Sequence, residues 1–175
     1  MKPPARSVTP RGKLLRRLRS YWRIEAANVV LMPALMLFIA RAQVGWPALA
    51  AMLPMSGMLV AGTIYLRAKY RQVAFDAPIA GALRQVAAVQ VPLLLATLAA
   101  AVLCAWCWID PGLTRGLAER WVVTAAATLA ALEYINYYHR QLQHFDNSGD
   151  WQRLLSGRGF RVSQMRRDLQ RAGLR

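Results

Sequence analysis

The distribution of charge along the chain constrains its fold more than any other feature. Four apolar windows contain almost no ionised side chain, whereas 23 Lys and Arg residues crowd between and beyond them. Hydrocarbon excludes ions, so this segregation is typical of a chain that crosses a bilayer several times. Each window is near the roughly 20 residues that a helix needs to cross about 30 Å of hydrocarbon. The windows cover residues 24–40, 46–66, 86–109 and 121–138.

The windows lack the alternating pattern of barrel strands, so they predict helices. The expected fold is an all-α integral membrane protein with four transmembrane helices in a bundle. A chain of 175 residues has room for one such domain. We expect a cytoplasmic basic amphipathic segment at 1–23, the transmembrane domain at 24–138, and a short helical basic cytoplasmic tail at 139–175.

The segment before the first window predicts an amphipathic helix. Apolar side chains recur at helical spacing among Arg and Lys, at Leu14, Leu15, Leu18, Tyr21 and Trp22. Such a helix typically lies at the membrane surface, so we expect it at the interface ahead of the first span.

The orientation follows from the cations that lie outside the windows. The segment before the first window, the loop between the second and third, and the tail together carry 20, against 3 in the other two loops. Cytoplasmic loops carry the excess of Lys and Arg, so both termini are expected in the cytoplasm of a bacterial-type inner (plasma) membrane. A cleaved signal peptide is the alternative for the first window. The long basic region before it and Arg41 within the loosely matching cleavage motif favour retention.

One polar segment, Leu132 to Asn147, begins inside the fourth window and holds both histidines. Glu133 stands out as an acidic residue inside the apolar run, and a charged side chain near the bilayer centre costs at least a few kcal/mol. On a continuing helix, Tyr137, Arg140 and His144 would fall within about 40° of Glu133, with Asn136 about 60° to one side. The stripe predicts an inward-opening site for a proton or for an anionic headgroup that Arg140 would bind.

Structural interpretations of the same residues remain open. Tyr137 and Arg140 are also typical of an interfacial anchor, and Glu133 could pair with another helix to fix packing. Cys104 and Cys107 form a CxxC near the end of the third window, where the helix dipole disfavours a thiolate, so an apolar filling role is favoured over redox chemistry. The two histidines would point about 140° apart, so no metal site and no cofactor are expected.

The charge pattern also bears on partners. Basic residues flanking apolar spans favour attraction to anionic headgroups at the cytoplasmic face. Zinc-finger, basic-zipper and RNA-binding patterns do not occur in the sequence, so no nucleic-acid partner is expected. A membrane protein partner or a second copy of the chain remains open.

Three classes of function fit these features. An accessory or assembly protein would use the bundle to contact a larger membrane complex, and this class is the first prediction. A small transporter or lipid-handling carrier would use the polar site on the fourth span. A membrane enzyme acting on a lipid or isoprenoid would use the same residues for acid–base chemistry, and it is the least favoured of the three.

Overall fold

The computed structural model describes residues 9–142, 156 and 159–174. Within that part of the chain every regular element is a helix, and one isolated bridge joins Arg140 to Val162. The helices are α1 (Pro10–Ile39), α2 (Trp46–Phe75), α3 (Ala80–Ala88), α4 (Gln90–Ile109), α5 (Leu117–Tyr138) and α6 (Gln164–Arg171), with a 3₁₀ turn at Pro111–Leu113.

The all-helical prediction is therefore confirmed, and three stretches are long and apolar enough to cross a membrane. They are Arg11–Ile39, Trp46–Phe75 and Ala80–Ile109. The fourth window forms α5, which ends at Tyr138 as expected, but its polar residues keep it out of this set.

The N-terminal amphipathic segment is not a separate interfacial helix. It is continuous with the first span in α1, which is 30 residues long and so about 45 Å from end to end. No glycine or proline lies between Lys13 and Met32, so the backbone has no local reason to bend there. The basic half of α1 is an extension of the apolar helix.

The third apolar window, residues 86–109, does not form one unbroken helix. α3 and α4 are separated by a turn at Val89, three residues before Pro92. Proline has no N–H to donate to Ala88, and its ring crowds the carbonyl four residues earlier, so the helix breaks at this point. The Leu93 N–H donates to the Val89 carbonyl at 2.9 Å and restarts the helix.

The helices pack around the α2–α5 pair. α1 lies mainly on α2, while α4 contacts both α2 and α5. The ends of the bundle differ in chemistry. At the basic end, where α1 begins and α2 ends, an Arg11 guanidinium N–H donates to the Val73 carbonyl at 2.9 Å, and α6 packs against α3 and α5. At the loop end, segments 40–45 and 110–116 join the helices.

A buried carboxylate holds the two loops of the loop end together. Glu119, in the first turn of α5, is 1% exposed. Its Oε1 accepts from the Gly45 N–H at 2.6 Å and its Oε2 from the Arg115 N–H at 2.7 Å. The sequence did not mark Glu119, because an acid in the first turn of a helix is ordinary.

Replacing Glu119 by alanine should destabilise the protein, because two backbone donors lose a charged acceptor. An unsatisfied buried donor costs about 1–3 kcal/mol, so thermal unfolding in detergent should begin several degrees lower. Asp110→Ala is the matched control, since Asp110 is exposed and, among the described residues, its carboxylate accepts only from the nearby Gly112 N–H. Equal unfolding temperatures for the two variants would contradict the role given to Glu119.

Candidate functional site

Three of the residues predicted from the sequence lie together on the last turns of α5. Glu133 is half-buried, while Asn136 and Tyr137 are buried. The Asn136 Nδ2 donates to the Glu133 Oε2 at 3.2 Å. The structure therefore brings Glu133, Asn136 and Tyr137 into one polar group near the basic end of the bundle.

A second acidic side chain, Glu25 of α1, lies against this group and was not among the sequence candidates. It is 8% exposed, and its Oε1 accepts a short hydrogen bond from the Tyr137 hydroxyl. In the sequence, Glu25 lies at the edge of the first apolar window. The signal that could have found it is its spacing from Asn28, since two polar side chains one turn apart share a helix face.

Gly62 of α2 makes the contact between Glu25 and Tyr137 possible. A Cβ at position 62 would collide with the Tyr137 phenol and would lie 2.9 Å from the Glu25 Oε1. The absence of a side chain lets α1 and α5 bring their polar groups together directly over the α2 backbone, as small residues do where membrane helices approach closely.

Arg140 does not share the Glu133 face, because the helix ends before it. The Arg140 N–H bonds the Ile135 carbonyl at 2.7 Å, and the Leu142 N–H bonds the Asn136 Oδ1 at 2.9 Å. The chain then turns away, and the exposed Arg140 guanidinium donates to the Phe160 carbonyl at 3.0 Å. The expected stripe therefore stops at Tyr137. His139 is exposed at the helix end, and His144 lies outside the described residues.

The tail folds back over the basic end of the bundle. Ser163 caps α6 by accepting from the Arg166 N–H at 3.1 Å, and its hydroxyl donates to the Tyr137 carbonyl. α6 buries Met165 and Leu169 against the bundle. Asp168 then fixes it to α2, accepting from the Tyr65 hydroxyl and from the Lys69 Nζ, each at 2.8 Å.

These elements enclose a cavity of about 430 Å³ between α1, α2, the end of α5 and the tail. The helices α1 and α2 contribute Tyr21, Ile24, Glu25, Asn28, Tyr65 and Leu66. The end of α5 and the tail contribute Asn136, Tyr137, Gln141, Ser163, Gln164 and Met165. Pockets that bind small molecules measure about 300–1,000 Å³, so the volume suits a headgroup-sized ligand.

The two cysteines lie far from this cavity, in the packing between α4 and α5. Cys107 is fully buried in the apolar cluster of the loop-end half, and both thiols are free. The Cys104 Sγ lies 3.5 Å from the Thr124 Oγ1. Among the described residues no cluster of three metal-ligating side chains occurs.

Comparison with protein-family models, with curated proteins and with solved structures finds no match to this chain.

Gly62→Ala should disrupt the site, because the added methyl group meets the Tyr137 phenol. Overpacking of this kind costs about 1–3 kcal/mol, which we expect as a lower unfolding temperature in detergent. Gly81→Ala is the control, since nothing lies within 4 Å of a Cβ there. Because Gly81 lies within helix α3, its replacement by alanine should stabilise the protein by about 0.5–1 kcal/mol. Unfolding temperatures that shift in the same direction in both variants would argue against the close approach at Gly62.

Asp168→Ala should release the tail from α2. The variant removes the acceptor of the Tyr65 hydroxyl and the partner of Lys69, a loss of about 1–3 kcal/mol. Cleavage of an opened segment follows the population of the open form, so trypsin should cut after Arg166 and Arg167 about tenfold faster. Gln170→Ala, an exposed change on the same helix, should leave the rate unchanged. Unchanged cleavage in Asp168→Ala would mean that the ion pair does not hold α6.

Proposed function

We propose that this chain is a four-span protein of a bacterial-type inner membrane, with both termini in the cytoplasm, and that it handles a lipid of the cytoplasmic leaflet. The observation that carries the proposal is the polar cavity at the basic end, where Glu25 and Tyr137 meet over Gly62.

The packing of α5 supports its role as the fourth span. It has 22 residues, about 33 Å of helix, and it runs along both α2 and α4. Its polar residues need not face lipid, because Glu119, Asn136 and Tyr137 are all buried inside the protein. A helix that buries its polar side chains against other helices can cross a bilayer with a lower hydropathy than its neighbours.

The gathering of cations at one end supports the orientation. The first turns of α1, the last turns of α2 and the tail helix lie together, and these segments belong to the regions that hold 20 of the 23 Lys and Arg residues. Lys and Arg concentrate on the cytoplasmic side, so the basic end is assigned to the cytoplasm.

The depth of the cavity supports a ligand drawn from the inner leaflet. Gly62 is 16 residues from Trp46, about 24 Å along α2, and Tyr137 is 20 residues from Leu117, about 30 Å along α5. With the loop end at the outer boundary of a hydrocarbon layer about 30 Å thick, these lengths support a cavity near the cytoplasmic boundary, close to the lipid headgroups.

An apolar stripe on α1 leads away from the cavity towards the loop end. It begins at Ile24, which lines the cavity and is 54% exposed, and continues at helical spacing through Leu31, Leu35 and Phe38. A lipid whose headgroup occupied the cavity would lay its acyl chains along this stripe, so the surface fits both parts of the ligand.

The purified protein should therefore retain phospholipid, and a side chain that fills the cavity should expel it. We expect Asn28→Trp to lower the lipid recovered by mass spectrometry about tenfold, equivalent to 1.4 kcal/mol of affinity. Ala27→Trp, which adds the same group at an exposed neighbour, should retain the lipid of the unmodified protein. Equal retention by both variants would count against the cavity as a lipid site.

The accessory class and the enzyme class remain predictions. Stoichiometric purification with a larger membrane complex, together with unchanged behaviour of Asn28→Trp, would favour the accessory role. Turnover of a lipid in detergent micelles would favour the enzyme.

A further inference from the structure

We infer that the cavity selects a phospholipid headgroup carrying a primary ammonium group, with Glu25 as the group that recognises it. The inference rests on the proposed lipid-handling function and adds the chemical class of the lipid.

The first argument is the charge inside the cavity. The chain carries 23 cations, yet among the described residues that line the cavity no Lys or Arg occurs, and Glu25 supplies the one formal charge. The described Lys and Arg side chains of the basic end therefore lie outside the cavity. A ligand that enters therefore meets a carboxylate, which favours a cation over the phosphate or glycerol of an anionic lipid.

The second argument is the unused capacity of Glu25. Its Oε1 accepts from Tyr137, while no described residue donates to its Oε2, and no described Lys or Arg forms an ion pair with it. A buried carboxylate without a cation is costly near a membrane, so an ammonium group would supply the partner that the chain does not.

The third argument is that two of the three phenols that line the cavity are already committed as donors. The Tyr137 hydroxyl donates to Glu25 and the Tyr65 hydroxyl donates to Asp168. Their remaining capacity lies in their oxygen lone pairs, and the Asn28 carboxamide lies one turn along α1 from Glu25. A primary ammonium has three donors and no acceptor, so it matches an acceptor-rich lining. A quaternary ammonium has no N–H and cannot use these acceptors.

The fourth argument concerns the surface just outside. A groove of about 420 Å³ shares Ile24 with the cavity and is lined by Arg16, Arg19 and Arg23. Guanidinium groups bind phosphate well, while they repel a free soluble amine. A headgroup that carries ammonium and phosphate together suits the two neighbouring surfaces, which favours phosphatidylethanolamine over free ethanolamine.

The test uses the full-length protein, stripped of lipid and returned to detergent with one probe at a time. The probes are phosphatidylethanolamine, phosphatidylcholine and phosphatidylglycerol with identical chains, and soluble ethanolamine at the same concentration. We expect phosphatidylethanolamine to be retained about tenfold better than the other two lipids, measured by native mass spectrometry and by thermal shift. Soluble ethanolamine should give no shift.

The variants separate recognition from folding. Glu25→Gln keeps an oxygen that can accept from Tyr137 but removes the charge, so it should still retain phospholipid and should lose the preference for phosphatidylethanolamine. Glu25→Asp should recover part of that preference. Asp76→Asn removes an exposed carboxylate at the end of α2 and should leave the preference intact.

The outcomes distinguish this inference from the proposed function. Equal or better retention of phosphatidylglycerol or phosphatidylcholine would overturn the ammonium assignment and leave lipid handling in place. A shift with soluble ethanolamine as large as with the lipid would support ammonium recognition and overturn the lipid as its source. Retention of none of the lipids by the unmodified protein would overturn the proposed function itself.

Discussion

The hydrogen bond between Tyr137 and Glu25 is the interaction on which the basic half of the bundle depends. It joins α1 to α5 across 112 positions of sequence and passes over α2 at a residue that has no side chain. Few other contacts connect α1 with α5, so this polar pair and the α2 surface together fix the angle at which α1 leaves the bundle. The space left beside the pair is the cavity.

The tail completes that space because it bonds to the same helices. Ser163 donates to the backbone of Tyr137, and Asp168 accepts from Tyr65, so two of the three tyrosines that line the cavity are connected to the tail through hydrogen bonds. The Lys69–Asp168 pair adds charge to an interface that Met165 and Leu169 already fill. Apolar burial holds the short helix, and the polar contacts set its register.

Much of this architecture follows from the sequence because it reflects the cost of placing charge in hydrocarbon. The apolar windows located the long helices. The break at Val89 lies inside the third window, which was expected to form one helix, so it is a finding of the structure. Glu133, Asn136 and Tyr137 could be grouped from helical spacing alone, since they share neighbouring turns.

The remaining features depend on tertiary contacts that spacing cannot show. Glu25 belongs to the site because it bonds Tyr137, which lies on another helix. Arg140 does not lie on the expected face, because the Asn136 side chain bonds the Leu142 N–H and helps turn the chain after Tyr138. The interfacial helix was predicted from its amphipathic pattern, which shows that one face of the helix is apolar. The pattern does not show whether the chain bends between this segment and the first span, and such a bend is needed for the segment to lie in the membrane plane.

The unbroken run of α1 has a mechanical consequence. Between Lys13 and Met32 the helix has no glycine or proline, so its arginine-rich half and Glu25 move together as one rigid segment. A force on the first turns of α1 would therefore move the Glu25 carboxylate relative to the Tyr137 phenol, and would change the width of the cavity beside them.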